Sequence, residues 1–330
     1  MGTSIVRYKT AKNRALSWGV LRGENIFTID LKMDSHRDVM DRYFNDRLDF
    51  DAAISQATIP LANALLYAPV STDIQILCQG LNYADHRAEG GLNEGSPDQE
   101  NLIFPKAGSS ICGPNDEIIR PRGCELLDYE IELGLIIKSD ILESRRINED
   151  DLESLIGGLI LANDVSARDF QFGAPAMQWF RGKSQKTFCP MGPVLYLLDK
   201  DDLAQLYQLR LTLRLNGEVK QDTTTDLLIH KPAATLADLS TYVGIRTGDC
   251  ILTGTPGGVL LDIDMKTGLS IMLNLKNDTK RRDKFVAAQL AKTRYLQPGD
   301  VLELDIKSLD GNIDLGRQTN QIIDALPDAC

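Results

Sequence analysis

Apolar and acidic residues alternate over Leu127-Asp128-Tyr129-Glu130-Ile131-Glu132-Leu133, and from Gly134 to Ile137 the run is wholly apolar. A period of two predicts a strand. Asp128, Glu130 and Glu132 then line one face, with Tyr129, Ile131 and Leu133 on the other. The apolar second half suits a strand buried on both faces. Other segments read in the same way. Ser17 to Leu21 and Asn25 to Leu31 predict a hairpin turning near Gly23, and Ile74 to Cys78 a short strand. The apolar run Leu102-Ile103-Phe104 is expected to stop at Pro105-Lys106. Leu155 to Ala162 is a long apolar run, and Pro193 to Leu198 is a further strand. Leu209 to Leu215 leads into Asn216-Gly217, a strong hairpin signal. After the turn Pro298-Gly299-Asp300, Val301 to Ile306 alternates again. Between Arg37 and Leu66 the pattern is mixed polar and helical, and Pro60 and Pro69 suggest a boundary there. The expected organisation is a small leading domain, residues 1–70, and a larger one, residues 71–330.

A row of carboxylates entering a buried strand needs compensation, because like charges repel and unpaired burial is costly. A divalent metal with hard oxygen ligands, Mg²⁺ or Mn²⁺, is one resolution; a half-exposed strand with its acids in water is the other. Asp164, at the end of the Leu155 to Ala162 run, is placed either to complete a metal site or to cap a turn. His86 and Glu89 fall on one face of a short predicted helix. That spacing makes either a general base or a surface pair. Leu252-Thr253-Gly254-Thr255-Pro256-Gly257-Gly258-Val259 is a Gly-rich loop whose backbone amides can approach an anion, but it lacks the ending of a phosphate loop.

Composition narrows the classes. The chain has 330 residues, 43% of them hydrophobic, enough for a large core. Its net charge of −11, from 47 acids and 36 bases, argues against sequence-independent nucleic-acid binding. The six cysteines are scattered without zinc-like spacing and read as reduced thiols. No apolar run approaches the ~20 residues that span a bilayer. A cytoplasmic protein with neither nucleic-acid nor membrane partners is expected.

Taken in order, these segments resemble the fumarylacetoacetate hydrolase family. The resemblance is carried by Gly-Leu-Asn-Tyr…His-x-x-Glu at 80–89, Leu-Asp-Tyr-Glu-x-Glu-Leu at 127–133 and Asn-Asp-x-Ser-Ala-Arg-Asp-x-Gln at 163–171. Gly-Lys-Ser at 182–184, Thr-Gly-Thr-Pro-Gly-Gly-Val at 253–259 and Pro-Gly-Asp-Val at 298–301 continue it. It spans residues 72–325. It implies an α+β fold, a compact roll of mixed β-sheets with few helices, usually homodimeric, often with a short N-terminal domain. By position it implies that Glu130, Glu132 and Asp164 hold Mg²⁺ or Mn²⁺. His86 and Glu89 match a water-activating dyad, and Lys183 a lysine that contacts substrate and developing charge. Arg168 and Gln171 match positions near the substrate, and Thr255 the position that binds its carboxylate.

The chemistry so implied is Mg²⁺-dependent hydrolysis of a carbon–carbon bond. The substrate would be an acylpyruvate or related 2,4-dioxo acid such as fumarylpyruvate or fumarylacetoacetate, as in aromatic catabolism. The metal would act as Lewis acid toward an enolate, and His86 would activate water. Decarboxylation of oxaloacetate type, and isomerisation or hydration of a 2-oxo-alkenoate, are the alternatives. Two departures from the family pattern bear on the substrate. Gln185-Lys186 follow Lys183-Ser184, adding positive charge near the expected site. The connection from Val259 to Pro298 is long, and Lys280 to Ala291 reads as a basic amphipathic helix expected to pack on an acidic surface, at a dimer contact or over the site mouth.

Overall fold

The computed structural model describes residues 2–46, 50, 54–89, 95, 99–173, 177–263 and 278–326. Its fold is α+β, built on mixed sheets. The strand Ile131–Ile137 lies at the centre of a large sheet, antiparallel to Ile156–Asn163 on one side and to Cys250–Leu252 on the other. Beyond Cys250–Leu252 come Ile76–Gly80 and then Leu102–Lys106 at the edge. Beyond Ile156–Asn163 come Cys189–Leu197 and then Thr3–Thr10, Ser17–Arg22, Asn25–Ile29 and Ile54–Pro60. A second sheet of five strands orders Glu218–Thr224, Leu209–Leu215, Val301–Ser308, Asp314–Asp324 and Ile118–Arg120.

Alternation along the central strand sorts the layers. Ile131, Leu133, Leu135 and Ile137 face one core, which they share with Leu211, Leu213, Leu302 and Leu304 of the five-stranded sheet. Ile136 faces the opposite core, shared with Ile160, Leu195 and, from the helix His36–Phe44, Val39 and Met40. The central strand is therefore covered on both faces, as its apolar second half predicts. The hairpin at Gly23 and the one at Asn216-Gly217 both form, the latter with positive φ at both turn residues. Pro105-Lys106 does not end its run: the strand continues to Lys106. Proline is tolerated there because the strand is the last in its sheet and leaves one side free of ladder bonds. The five described cysteines are buried, and none is in a disulfide. No described helix is long and apolar enough to cross a membrane.

Thr3–Thr10 pairs directly with Cys189–Leu197, so the leading segment extends the central sheet. Its helix is tied down by buried His36. The His36 Nδ1 lies 3.2 Å from the Ser71 amide nitrogen, and Nε2 lies 2.9 Å from the Gly248 carbonyl oxygen. A carbonyl only accepts, so Nε2 carries the proton and Nδ1 accepts from Ser71, which makes the ring neutral. Burial pushes its pKa down from 6.5 to about 4, with Arg37 adding to the effect and the Gly248 carbonyl opposing it. A base with a lowered native pKa contributes stability that is complete above the unfolded value and is lost as pH falls. Between pH 6.5 and about 4, roughly 3 kcal/mol should disappear through this residue. His36→Gln should be less stable than wild type at pH 7 but flatter over that window in denaturant midpoints. Parallel pH curves for the two proteins would refute the assignment.

Candidate active site

The register of the central strands assembles the acids. Ile131 pairs with Asn163 and Glu132 with Ala162, and the Asp164 amide donates to the Glu130 carbonyl at 2.8 Å. Ligand atoms of Glu130, Glu132 and Asp164 thereby lie within 4.8 Å of one another, all three residues buried. Asp128 is buried as well, and Arg168 joins it to Glu130. The half-exposed alternative for this strand does not occur.

Three cations meet these acids. Arg168 Nε donates to Asp128 Oδ2 at 2.8 Å and its Nη2 to Glu130 Oε1 at 2.5 Å. Lys183 Nζ bridges Glu130 Oε2 at 2.6 Å and Asp164 Oδ2 at 2.7 Å. Lys106 Nζ donates to Asp164 Oδ1 at 2.6 Å and to the carbonyls of Val165 and Lys183. Burial alone would raise the pKa of Glu130, but Lys183 and Arg168 outweigh it and hold the group well below the usual carboxylate range. Burial likewise opposes the charges of Arg168 and Lys183, and their carboxylates overcome it, so both are firmly cationic.

Glu132 differs. Its Oε2 accepts from the Gly254 amide at 2.7 Å, while its buried Oε1 has no hydrogen-bond partner. Burial, then Asp164 and Glu130, push its pKa well above the ordinary value. With all four ionised, Asp128, Glu130, Glu132 and Asp164 against Arg168, Lys183 and Lys106 leave one negative charge in excess, on the acid whose Oε1 has no partner. That donor set, all hard oxygen with surplus negative charge, suits a divalent cation. The triad can hold a metal.

The His86 and Glu89 side chains are 3.3 Å apart, Nδ1 to Oε2, on the helix Ala84–Glu89. The other Glu89 oxygen accepts from the Gly258 amide at 2.6 Å. Gly254 and Gly258 both have positive φ, and a Cβ on Gly258 would meet the Lys220 carbonyl at 2.0 Å. The loop thus turns one amide to Glu132 and another to Glu89. Thr255 Oγ1 accepts from Gln221 at 2.8 Å, leaving its hydrogen free to donate. Gln171 Oε1 accepts from Arg168 at 3.4 Å, and its buried Nε2 has no hydrogen-bond partner.

All nine residues that the sequence nominates are brought together. His86, Glu130, Arg168, Gln171, Lys183 and Thr255 line one cavity of about 460 Å³, with Glu89, Glu132 and Asp164 immediately behind. Lys106 and Gln221 were not nominated. Lys106 falls in what the sequence presents as a strand stop, and Gln221 sits in an unremarkable polar strand. Lys186 is exposed and does not line the cavity, so the charge it adds is not at the site. The helix Asp278–Leu290 packs on the acidic surface of its own chain, with Arg282 pairing Asp169 at 2.8 Å and Glu125 at 3.1 Å.

Known proteins place this geometry. Solved structures share the fold nearly end to end. A fumarylacetoacetate hydrolase from Exiguobacterium antarcticum matches with TM-score 0.74 and 27% identity over 98% of this chain and 100% of that one. A protein described as a probable 2-hydroxyhepta-2,4-diene-1,7-dioate isomerase, from Mycobacterium abscessus, matches with TM-score 0.72 and 28% identity over 99% and 100%. Among curated proteins, the mitochondrial oxaloacetate tautomerase FAHD2A of Bos taurus is 38% identical over 201 residues, 61% of this chain and 62% of that protein. Its Homo sapiens counterpart is 37% identical over the same length. The match thus spans less than two thirds of these relatives' own length. The model for the fumarylacetoacetate hydrolase C-terminal domain matches residues 75–323. With three quarters of its length under that model and the acidic triad, the His–Glu pair and the Gly-rich loop inside it, this chain belongs to the fumarylacetoacetate hydrolase family of enzymes.

Proposed function

We propose that the enzyme interconverts the enol and keto forms of a 2-oxo acid with a divalent metal, Mg²⁺ or Mn²⁺, held by Glu130, Glu132 and Asp164. The observation that carries this reading is His86. Glu130 also lines the cavity, but Lys183 and Arg168 hold it well below the usual carboxylate range, so it is a poor proton acceptor. His86 is therefore the one described lining residue with a basic atom to spare. A single base suffices for a tautomer shift, which takes a proton from one atom and returns it to another. The activity for which the FAHD2A relatives are named, oxaloacetate tautomerase, supports the same choice.

A bound divalent cation would supply Lewis acidity to a coordinated 2-oxo carbonyl. Glu89, with one oxygen fixed by Gly258, orients His86 through Nδ1 and favours its protonated state after it accepts the C3 proton. Lys183, Arg168 and the Gln171 amide offset negative charge as it builds on the substrate oxygens, an effect typically worth a few kcal/mol. Thr255 donates to the carboxylate. Hydrolysis of a 2,4-dioxo acid is the second reading. It is favoured by a cavity volume of about 460 Å³, which leaves room for an acyl group and the water that His86 would activate.

Enol absorbance and product analysis separate these. With Mg²⁺, enol-oxaloacetate should convert to the keto form faster than in buffer, without release of carbon dioxide. His86→Ala should lower kcat by about 10²–10⁴-fold and leave metal affinity near wild type. Cleavage of acetylpyruvate outpacing tautomerisation would install the second reading; carbon dioxide release from oxaloacetate would install a decarboxylase.

Glu132 gives a test independent of turnover. An acid with a raised native pKa costs stability as pH climbs above its unfolded value, 4.5. In chelator, Glu132→Gln should therefore melt above wild type at pH 8, and the gap should close as pH falls toward 4.5. Added Mg²⁺ or Mn²⁺ should raise the wild-type melting temperature and barely move the variant. An equal rise in both would remove Glu132 from the metal site.

A further inference from the structure

The cavity has two ends of different chemistry. Glu130, Arg168, Lys183, Gln171, Thr255 and His86 make the polar one. The other is walled by Leu102, Phe172, Trp179, Leu261 and Ile263, and Phe104 joins the two, its ring centroid 5.2 Å from Lys183 Nζ. This wall is braced rather than incidental. The rings of Phe104 and Trp179 are 4.8 Å apart, those of Trp179 and Phe172 6.4 Å, and those of Phe172 and Phe285 5.7 Å. Phe285 belongs to the helix Asp278–Leu290 and is buried with Leu126, Leu261 and Tyr295. Arg281 of the same helix donates to the Gly173 carbonyl at 2.9 Å, and Arg282 holds Asp169, so the segment carrying Phe172 is gripped from outside. Ile263 is fixed by a hydrogen bond that its amide donates to the Glu89 carbonyl at 3.1 Å.

The three-carbon head of a 2-oxo acid engages only the polar end. The cationic side chains among the described lining residues, Arg168 and Lys183, belong to that end and are already paired with its acids. A carboxylate reaching the far end would be desolvated among rings and aliphatic groups with no partner, which is costly. A ring or alkyl group there would bury apolar surface and stack on aromatic faces. We propose that the substrate is a 2-oxo acid whose distal arm is aromatic or otherwise apolar, and that Phe172, Trp179 and Ile263 select it. This rests on the enolising reading, extending it from reaction to substrate class.

The test uses two matched pairs with Mg²⁺ and the full-length protein: oxaloacetate against phenylpyruvate for tautomerisation, and acetylpyruvate against benzoylpyruvate for cleavage. In whichever pair is turned over, the aryl member should have the higher kcat/KM, by about tenfold or more for a well-fitting apolar group. Phe172→Leu should shrink that ratio by about as much, chiefly through KM of the aryl member. Ile263→Lys, at a half-buried position that should tolerate the change, places a cation at the apolar end and should shift the ratio toward oxaloacetate. Turnover of the small members with equal or greater efficiency, with neither variant moving the ratio, would overturn the apolar-arm proposal and leave the chemistry standing. Turnover of none of the four compounds would overturn the enolising reading itself.

Discussion

Everything at the site follows from burying four carboxylates at one junction of the central sheet. Asp128, Glu130, Glu132 and Asp164 are all buried, so each must be met by charge, by hydrogen bonds or by a proton. Arg168 spans Asp128 and Glu130, Lys183 spans Glu130 and Asp164, and Lys106 adds a second cation to Asp164. The remaining acid, Glu132, is held by one amide and faces two like charges. That leftover is what makes the cluster a binding site. A fully neutralised set would be a buried salt-bridge network with nothing to attract.

Such a cluster is tolerable only on a scaffold that over-determines it. The strands that carry Glu132 and lead to Asp164 are interior members of the sheet, apolar on both faces and paired on both edges. Backbone pairing fixes the spacing between the acids, so their mutual repulsion cannot be relieved by drift. Gly254 and Gly258 complete the frame in positions that a side chain would block, each delivering an amide to one carboxylate.

The strands were legible in the sequence wherever period-two alternation met a turn signal, as at Leu209 to Gly217 and Val301 to Ile306; the expected single strand from Leu127 instead divides into Leu127–Asp128, paired with Ser166–Ala167, and Ile131–Ile137. The acids and the His–Glu pair were legible for a similar reason: their spacing is local. Burial was not, because the alternation of Asp128, Glu130 and Glu132 is the same whether that face meets water or three cations. Lys106 is 58 residues from Asp164 and Gln221 is 34 from Thr255, and nothing near either residue announces its partner. Pro105 misled because a proline stop and a proline on an edge strand read alike until the strand's place in the sheet is known. The basic character of Lys280 to Ala291 did predict an acidic docking surface; that it would brace an aromatic wall through Phe285 and Phe172 depended on a ring contact 113 residues distant.

This division has a consequence for how the molecule works. Glu130 directly precedes, Glu132 belongs to and Asp164 directly follows the most deeply embedded strands, whose pairing on both edges fixes their positions. The apolar wall is assembled from pieces outside that frame: the edge strand Leu102–Lys106, the short helices Arg168–Phe172 and Trp179–Lys183, and the outer helix Asp278–Leu290. Such elements can change side chains without disturbing the register that spaces the carboxylates. Arg168 and Lys183 couple the two regions, since each short helix contributes one ring to the wall and one cation to the acids. An arm that seats against Phe172 and Trp179 therefore presses on the same two helices that hold Glu130 and Asp164. Recognition of the far end of the substrate is thereby tied mechanically to the charge around its reacting end.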